Sequence, residues 1–189
     1  MSNAYTYNQP PRTEMHNGKI VMMAPASTDH NRTAMGITHI FRNYLKGKKC
    51  EYFTDGQKVH LSKKDRVVPD GMVVCNPDII KYDAIHGAPD LIIEILSPST
   101  AKYDRGSKKD MYEAYGVNEL WLVHPADKTI EVHLLKDGKY YLDNVYVQHA
   151  DYVIEDMTDQ ERAEIVMHFK TSIFDDLIIS VEEVFEDLI

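Results

Sequence analysis

The sequence predicts one α/β domain, and three observations carry that reading. A chain of 189 residues with 43% hydrophobic and 27% charged content can fill one sizeable core but scarcely two. Short apolar runs recur around the turn dipeptides Asn17-Gly18, Asp55-Gly56 and Asp137-Gly138, as strands do. Two longer stretches instead space their apolar residues by three and four, the period of a helix.

Taken in order, residues 1–12 hold no hydrophobic run and contain Pro10-Pro11, which reads as a flexible N-terminal arm before a domain at 13–189. Residues 14–24 place a turn at Asn17-Gly18 and then a short apolar strand that Pro25 stops. Ser27, Thr28 or Asp29 caps the first helix, in which His30, Ala34, Ile37, Phe41, Tyr44 and Leu45 share a face, and Gly47 ends it. Short strands follow around Asp55-Gly56, then a charged loop over 62–66. The run from Val67 to Val74 contains Asp70, and residues 76–89 are loop-like. Leu91 to Leu96 is a strand interrupted by Glu94 and ended by Ser97-Pro98-Ser99-Thr100. Asp104 caps a second helix that runs to Tyr115, with Gly116 as a left-handed C-cap. Strands are expected at 119–124, which holds Trp121 as core or interface packing, and at 129–135 and 139–148, a hairpin through Asp137-Gly138. Beyond an acidic loop near 156–159, residues 164–169 form a last strand and Val181 to Leu188 an acidic amphipathic helix.

Composition excludes some classes. No window approaches the roughly 18 apolar residues of a membrane span, and the N-terminus lacks the hydrophobic core of a secretory leader, so the expectation is a cytoplasmic protein with no membrane partner. Cys50 and Cys75 stand alone among their neighbours and read as two reduced thiols, with neither a disulfide framework nor a zinc cluster. The net charge of -9 is very unevenly spread. Residues 150–189 carry 12 acidic side chains against Arg162 and Lys170, whereas residues 1–149 carry 18 acidic and 19 basic ones and are about neutral. The acidity belongs to the C-terminal segment and leaves room for a local basic groove elsewhere.

Asp70, Glu94 and Lys108 fall where their neighbours call for burial. Unpaired buried charges are costly by several kcal/mol, so groups of this kind persist by pairing with one another or by binding a cation. Of the three Pro-Asp pairs, Asp78 suits turn duty in its loop. Asp90 lies about 13 Å from Glu94 along one strand, at roughly 3.3 Å per residue, too far to share one magnesium. Asp70 and Glu94 belong to separate strands that can pair side by side. Lys108 shares a helical face with Met111, Tyr112 and Tyr115, while Lys109, Asp110 and Glu113 point elsewhere. Its bland reading is a lysine snorkelling at the edge of that stripe. His30 lies on the inward face near a helix N-terminus, either lining the site or as a core histidine satisfied by a hydrogen bond. Glu14 and Asp104 are further site-lining candidates. Two carboxylates, a hard cation such as Mg2+ or Mn2+ and an inward lysine suit phosphodiester hydrolysis. No serine elbow, phosphate-binding glycine loop or HExxH motif competes.

At these residues the chain resembles the Uma-type restriction endonuclease family of the PD-(D/E)XK nuclease superfamily. The matching residues are Val68-Pro69-Asp70, Gly87-Ala88-Pro89-Asp90-Leu91, Glu94-Ile95-Leu96-Ser97-Pro98-Ser99-Thr100, Asp104-Arg105-Gly106-Ser107-Lys108, Tyr112 and Gly116-Val117-Asn118-Glu119-Leu120-Trp121. The resemblance implies a restriction-endonuclease-like α/β core, with a mixed central β-sheet flanked by helices, and magnesium-dependent DNA cleavage. It implies Asp70 and Glu94 as metal ligands, with the Ile95 carbonyl as a third. The superfamily lysine sits two residues after the glutamate, a position held here by Leu96, and this family supplies it from the following helix, where Lys108 stands. Lys19, where the family more often has an acid, and His124, where it often has Asp, depart from the pattern.

Lys102, Arg105 and Lys109, and more remotely Arg42, Lys46, Lys48 and Lys49, are candidates to follow a nucleic-acid backbone, although each alone reads equally well as a solvated surface residue. Cutting both strands of duplex DNA suits a homodimer. The competing reading is a non-catalytic dimeric module that binds nucleic acid or protein on the same fold.

Overall fold

The computed structural model describes residues 12–98 and 100–188. The N-terminal arm expected at 1–12 therefore lies, except for Arg12, outside the described residues, as does Ser99. Strands β1 (Thr13–His16) and β2 (Lys19–Met22) form a hairpin, so the apolar strand expected after Asn17-Gly18 has a partner before it. Both turn residues take positive φ, 50° and 78°, which suits the asparagine-glycine pair. Helix α1 (Thr28–Leu45) follows, with the Ser27 hydroxyl accepting the His30 N–H. Its buried residues Thr33, Ile37, Phe41 and Leu45 are four apart and make the stripe that packs on the sheet.

Strands β3 (Glu51–Thr54), β4 (Val59–His60), β5 (Arg66–Val67) and β6 (Gly71–Val74) lead through a 3-10 turn at Pro77–Ile79 to β7 (Leu91–Ile95). A short helix α2 (Ala101–Tyr103), a π-helical turn at Asp104–Lys108 and helix α3 (Lys109–Ala114) carry the chain over to β8 (Glu119–His124). The hairpin of β9 (Thr129–Lys136) and β10 (Lys139–Val147) turns at Asp137-Gly138, again with positive φ at both residues. The C-terminal part holds α4 (Asp151–Asp156), α5 (Asp159–Ala163), β11 (His168–Lys170), β12 (Ile178–Ser180) and α6 (Val181–Phe185).

The central sheet is mixed, in the order β10-β9-β8-β7-β6-β3. Only the pairing of β7 with β8 is parallel, which is why a helical crossover joins them. A smaller sheet has the order β2-β1-β5-β4, and β11 pairs with β12. Strand β7 is buried along its whole length, and its alternation divides the interior. Leu91, Ile93 and Ile95 pack toward α1 and α6 with Phe41, Trp121 and Phe185, whereas Ile92 and Leu96 pack with Met72, Leu120 and Tyr112. Trp121 is a core residue. Its indole N–H donates to Glu119 Oε1 at 2.6 Å, and the other Glu119 oxygen accepts from Ser172 N–H and Oγ, each at 2.6 Å.

Three expectations are corrected. Cys50 and Cys75 are joined by a disulfide, because the pairing of Glu51 with Val74 on β3 and β6 places the next residues opposite one another, with Cα atoms 4.0 Å apart. The second helix begins before Asp104, which lies buried inside the helical run instead of capping it. The acidic stretch near 156–159 joins two short helices, and the expected strand at 164–169 shifts to β11 and acquires β12 as partner. Among the described residues no helix is long and apolar enough to cross a membrane.

Candidate active site

Strand register builds the site. Gly71 pairs with Ile93 and Met72 with Ile92 in the antiparallel β6–β7 ladder, so one step further Asp70 stands opposite Glu94. Directly opposed residues of this kind carry side chains about 5 Å apart at Cβ. Asp70 Oδ2 accepts the Ile95 N–H at 2.7 Å, and Asp70 Oδ1 lies 3.1 Å from His30 Nε2. His30 thus both lines the cleft and has a hydrogen-bonding partner, which unites the two readings of it. Its Nδ1 is buried without a partner among the described residues. Gly71 is needed here because a Cβ would come within 2.3 Å of the Tyr52 hydroxyl.

Lys108 comes from the π turn, where Gly106 leaves helical geometry at φ -105° and ψ -107°. Such insertions frequently mark functional sites. The turn leaves Asp104, Lys108 and Tyr112 as the buried residues of the run. Lys108 Nζ lies 2.8 Å from Glu94 Oε1 and 3.2 Å from Glu14 Oε1. The Tyr112 hydroxyl donates to the same Glu94 oxygen at 2.5 Å. Glu14 is fixed in turn by the Val68 N–H at 2.8 Å and by His16 Nε2 at 2.9 Å, and His16 Nδ1 meets the Tyr103 hydroxyl. Glu14, His30, Asp70, Glu94, Tyr103 and Lys108 line one cleft of about 210 Å³, joined by Arg12, which grips Asp55 through both terminal nitrogens at 2.6 and 2.5 Å.

Four carboxyl groups, Glu14, Asp70, Glu94 and Asp104, therefore gather with the Lys108 ammonium and the His30 imidazole in one cleft, and the His16 imidazole supports Glu14 from outside it. Burial pushes Glu94 well up, and Asp70, Asp104 and Glu14 add to that push against the pull of Lys108. Burial raises Asp104 as well, despite Lys108 and a hydrogen bond from Thr100. Burial alone would lower Lys108, but Glu94, Glu14 and Asp104 overcome it and hold the amine charged. Burial works against the His30 cation too, and the Asp70 contact reverses the sign, raising it. The set of hard oxygen donors fits a divalent cation of the magnesium class, whose positive charge would favour the ionised form of the raised carboxyls. Among the described residues, the one trio of His, Cys, Asp or Glu with ligand atoms within 4.8 Å of one another is His60, Asp83 and His86, none of which lines this cleft. A cation between Asp70 and Glu94 would thus be completed by backbone and solvent oxygens, as magnesium commonly is.

The rival carboxylates have other work. Asp90 Oδ2 accepts the Cys75 N–H at 2.7 Å, and Asp78 is exposed in the 3-10 turn. Of the backbone-contact candidates, Lys102 is exposed, Arg105 pairs with Glu131 at 2.6 Å, and Lys109 Nζ lies 3.2 Å from His133 Nδ1. Arg42, Lys46, Lys48 and Lys49 are exposed at or beyond the far end of α1, about 18 Å or more from His30 at roughly 1.5 Å per helical residue, too far to share the cleft mouth. His16, Tyr103 and Tyr112 are site residues that sequence reading missed. Alternation along β1 could have found His16, since Glu14 and His16 face the same side.

Comparison with known proteins bears on the family and the fold. A family model described as "Uma2: Putative restriction endonuclease" matches residues 3–162. Two proteins of Synechocystis sp. are similar over part of the chain. "Uncharacterized protein slr1290" is 33% identical over 100 residues, 52% of this chain and 53% of that protein. "Uncharacterized protein sll1609" is 25% identical over 104 residues, 53% and 59% of the two chains. The chain thus spans little more than half the length of these relatives. The crystal structure of "a putative nuclease belonging to DUF820" from Anabaena variabilis superposes with a TM-score of 0.69 at 18% identity, covering 93% of this chain and 90% of that one, and shares the fold.

Proposed function

The chain belongs to the Uma2 family, described as "Putative restriction endonuclease", and on that premise we propose that it is a Mg2+- or Mn2+-dependent endonuclease hydrolysing DNA phosphodiester bonds. The observation that carries this reading is the buried ammonium of Lys108, held at 2.8 Å from Glu94 and 3.2 Å from Glu14 in the cleft that also contains Asp70. Asp70 and Glu94, with the Ile95 carbonyl, would hold the cation. When bound, it supplies positive charge to the scissile phosphate and makes a water more acidic. Lys108 donates to the phosphate oxygens, where negative charge accumulates as the bond breaks, or orients the attacking water. Glu14 and Tyr112 are positioning residues: one pins Lys108 and the other fixes the Glu94 carboxyl. His30 does the same for Asp70. Lys102, Arg105 and Lys109, on the run that carries Lys108, supply contacts to the backbone, and two copies of the chain would address the two strands.

The test is supercoiled plasmid incubated with Mg2+ or Mn2+ and either the wild type or Asp70→Ala, Glu94→Ala and Lys108→Ala. Nicked and linear products are expected from the wild type, with cleavage reduced at least about 100-fold in each variant, the scale of a lost transition-state donor. Cleavage that survives in Asp70→Ala, or binding without cleavage by the wild type, defeats the proposal, and the second outcome is that of a non-catalytic module.

A further inference from the structure

Away from the cleft, β4 and the loop before β7 bring two histidines and an aspartate together. Val59 and Ile85, both wholly buried, form a parallel bridge. The Ile85 N–H donates to Lys58 O at 2.9 Å and the His60 N–H to Ile85 O at 2.7 Å. His60 and His86 are therefore the next residues on two adjacent extended segments, and their rings meet edge to face with centroids 4.9 Å apart. The His86 backbone is held separately, through its N–H on Ile79 O at 2.8 Å. Asp83 reaches His86 Nε2 at 3.1 Å across a turn closed by the Lys81 N–H on Ala84 O at 3.0 Å.

We propose that His60, Asp83 and His86 form a surface site for a borderline transition-metal ion of the zinc class, separate from the Asp70–Glu94 cleft. One ligand atom from each residue already lies within 4.8 Å of the other two. Two imidazole nitrogens and one carboxylate oxygen are a donor set that zinc, nickel or copper takes, whereas magnesium prefers oxygen throughout. Tetrahedral ligands about 2.0 to 2.2 Å from zinc stand roughly 3.3 to 3.5 Å apart, so the three side chains need to close only by about 1.5 Å. His86 and Asp83 are exposed enough to do this by rotation, while the bridge below them keeps the backbone in place. The Asp83 carboxylate supplies the negative charge that offsets Arg66, opposite His60 in the β4–β5 register. An occupied site would clamp the small sheet to the loop that feeds β7.

The test titrates the untagged chain with zinc by calorimetry in an excess of Mg2+ that occupies the Asp70–Glu94 cleft, uses Co2+ absorption to report the ligand set, and follows melting in the same buffer with and without zinc. One equivalent is expected to bind and to raise the wild-type melting temperature. His60→Ala and His86→Ala should each weaken binding by at least about tenfold, Asp83→Asn by less, and neither histidine variant should melt higher with zinc. Asp70→Ala should bind as the wild type does, and His60→Ala should keep whatever plasmid cleavage the wild type shows in Mg2+, so this site and the nuclease reading stand or fall separately. Binding that survives in either histidine variant, binding lost in Asp70→Ala, or none at millimolar zinc overturns the proposal.

Discussion

Lys108 Nζ lies 2.8 Å from Glu94 Oε1, and both side chains are almost fully shielded from water. Removing one member of such a pair leaves the other charge buried and alone, which is worth about 3 to 5 kcal/mol. Lys108→Met should therefore lose stability on that scale. Adding Glu94→Gln should recover part of the loss, because the stranded charge disappears with it. Urea unfolding of the two single variants and the double variant measures the coupling; strictly additive losses would show that the pair is not energetically linked.

Glu14 makes stability depend on acid. Burial pushes its carboxyl up, but Lys108, His16 and the Val68 N–H together bring it down to about 2. An unfolded glutamate titrates near about 4.3, so Glu14 stabilises the fold above that pH and the contribution fades as pH falls toward its folded value. At about 1.36 kcal/mol per pH unit the full effect is about 3 kcal/mol. Glu94 runs the other way: its folded value is raised, so what it contributes is fullest at low pH and is lost as pH rises. The stability gap between wild type and Glu14→Gln should thus be constant above about pH 4.5 and narrow between that pH and about 2. Urea midpoints across the range check it.

Gly71 and Tyr52 should behave as one unit. Tyr52 is stacked on Phe41 with ring planes 2° apart, so its hydroxyl has little freedom to retreat from a new methyl group at residue 71. Gly71→Ala should lose about 1 to 3 kcal/mol by overpacking and, by displacing Asp70, should impair metal-dependent cleavage. Tyr52→Phe in the same chain should restore much of both. A double-mutant cycle on stability and cleavage rate decides the matter.

The disulfide closes a loop between residues 25 positions apart. Loop-closure arguments give a cross-link of that span about 3.5 kcal/mol. Reduction, or Cys50→Ser with Cys75→Ser, should lower the melting temperature accordingly. Cleavage at room temperature should persist, because Cys75 stands about 16 Å along the strand from Asp70, at roughly 3.3 Å per residue. Melting and plasmid assays with and without reductant separate these effects.

Much of this was legible in the residues themselves. Asp70, Glu94 and Lys108 stood out because each breaks an apolar pattern whose period is known, and the three asparagine-glycine or aspartate-glycine turns fixed strand ends. What escaped depends on pairing that no local pattern encodes. The opposition of Cys50 and Cys75 follows from the β3–β6 register, and the chain from Glu14 through His16 to Tyr103 joins residues 87 positions apart in sequence. The helix at Asp159 was within reach: Thr158 and Glu161 have the spacing of a capping box, which the structure realises. Asp104 was misread because a cap and a buried carboxylate look alike in sequence, and only the π turn tells them apart.

The charged constellation is drawn from residues 14, 30, 70, 94, 104 and 108, and that dispersal has a temporal meaning. A chain that has emerged only as far as Ile95 owns both opposed carboxylates but no ammonium, and a folded protein whose first hairpin frays keeps the ammonium but loses one of the two carboxylates that steady it. If the cleft cleaves nucleic acid as proposed, that reactivity is a property of the finished fold: an unfinished or partly opened chain lacks part of the wiring that the complete one has.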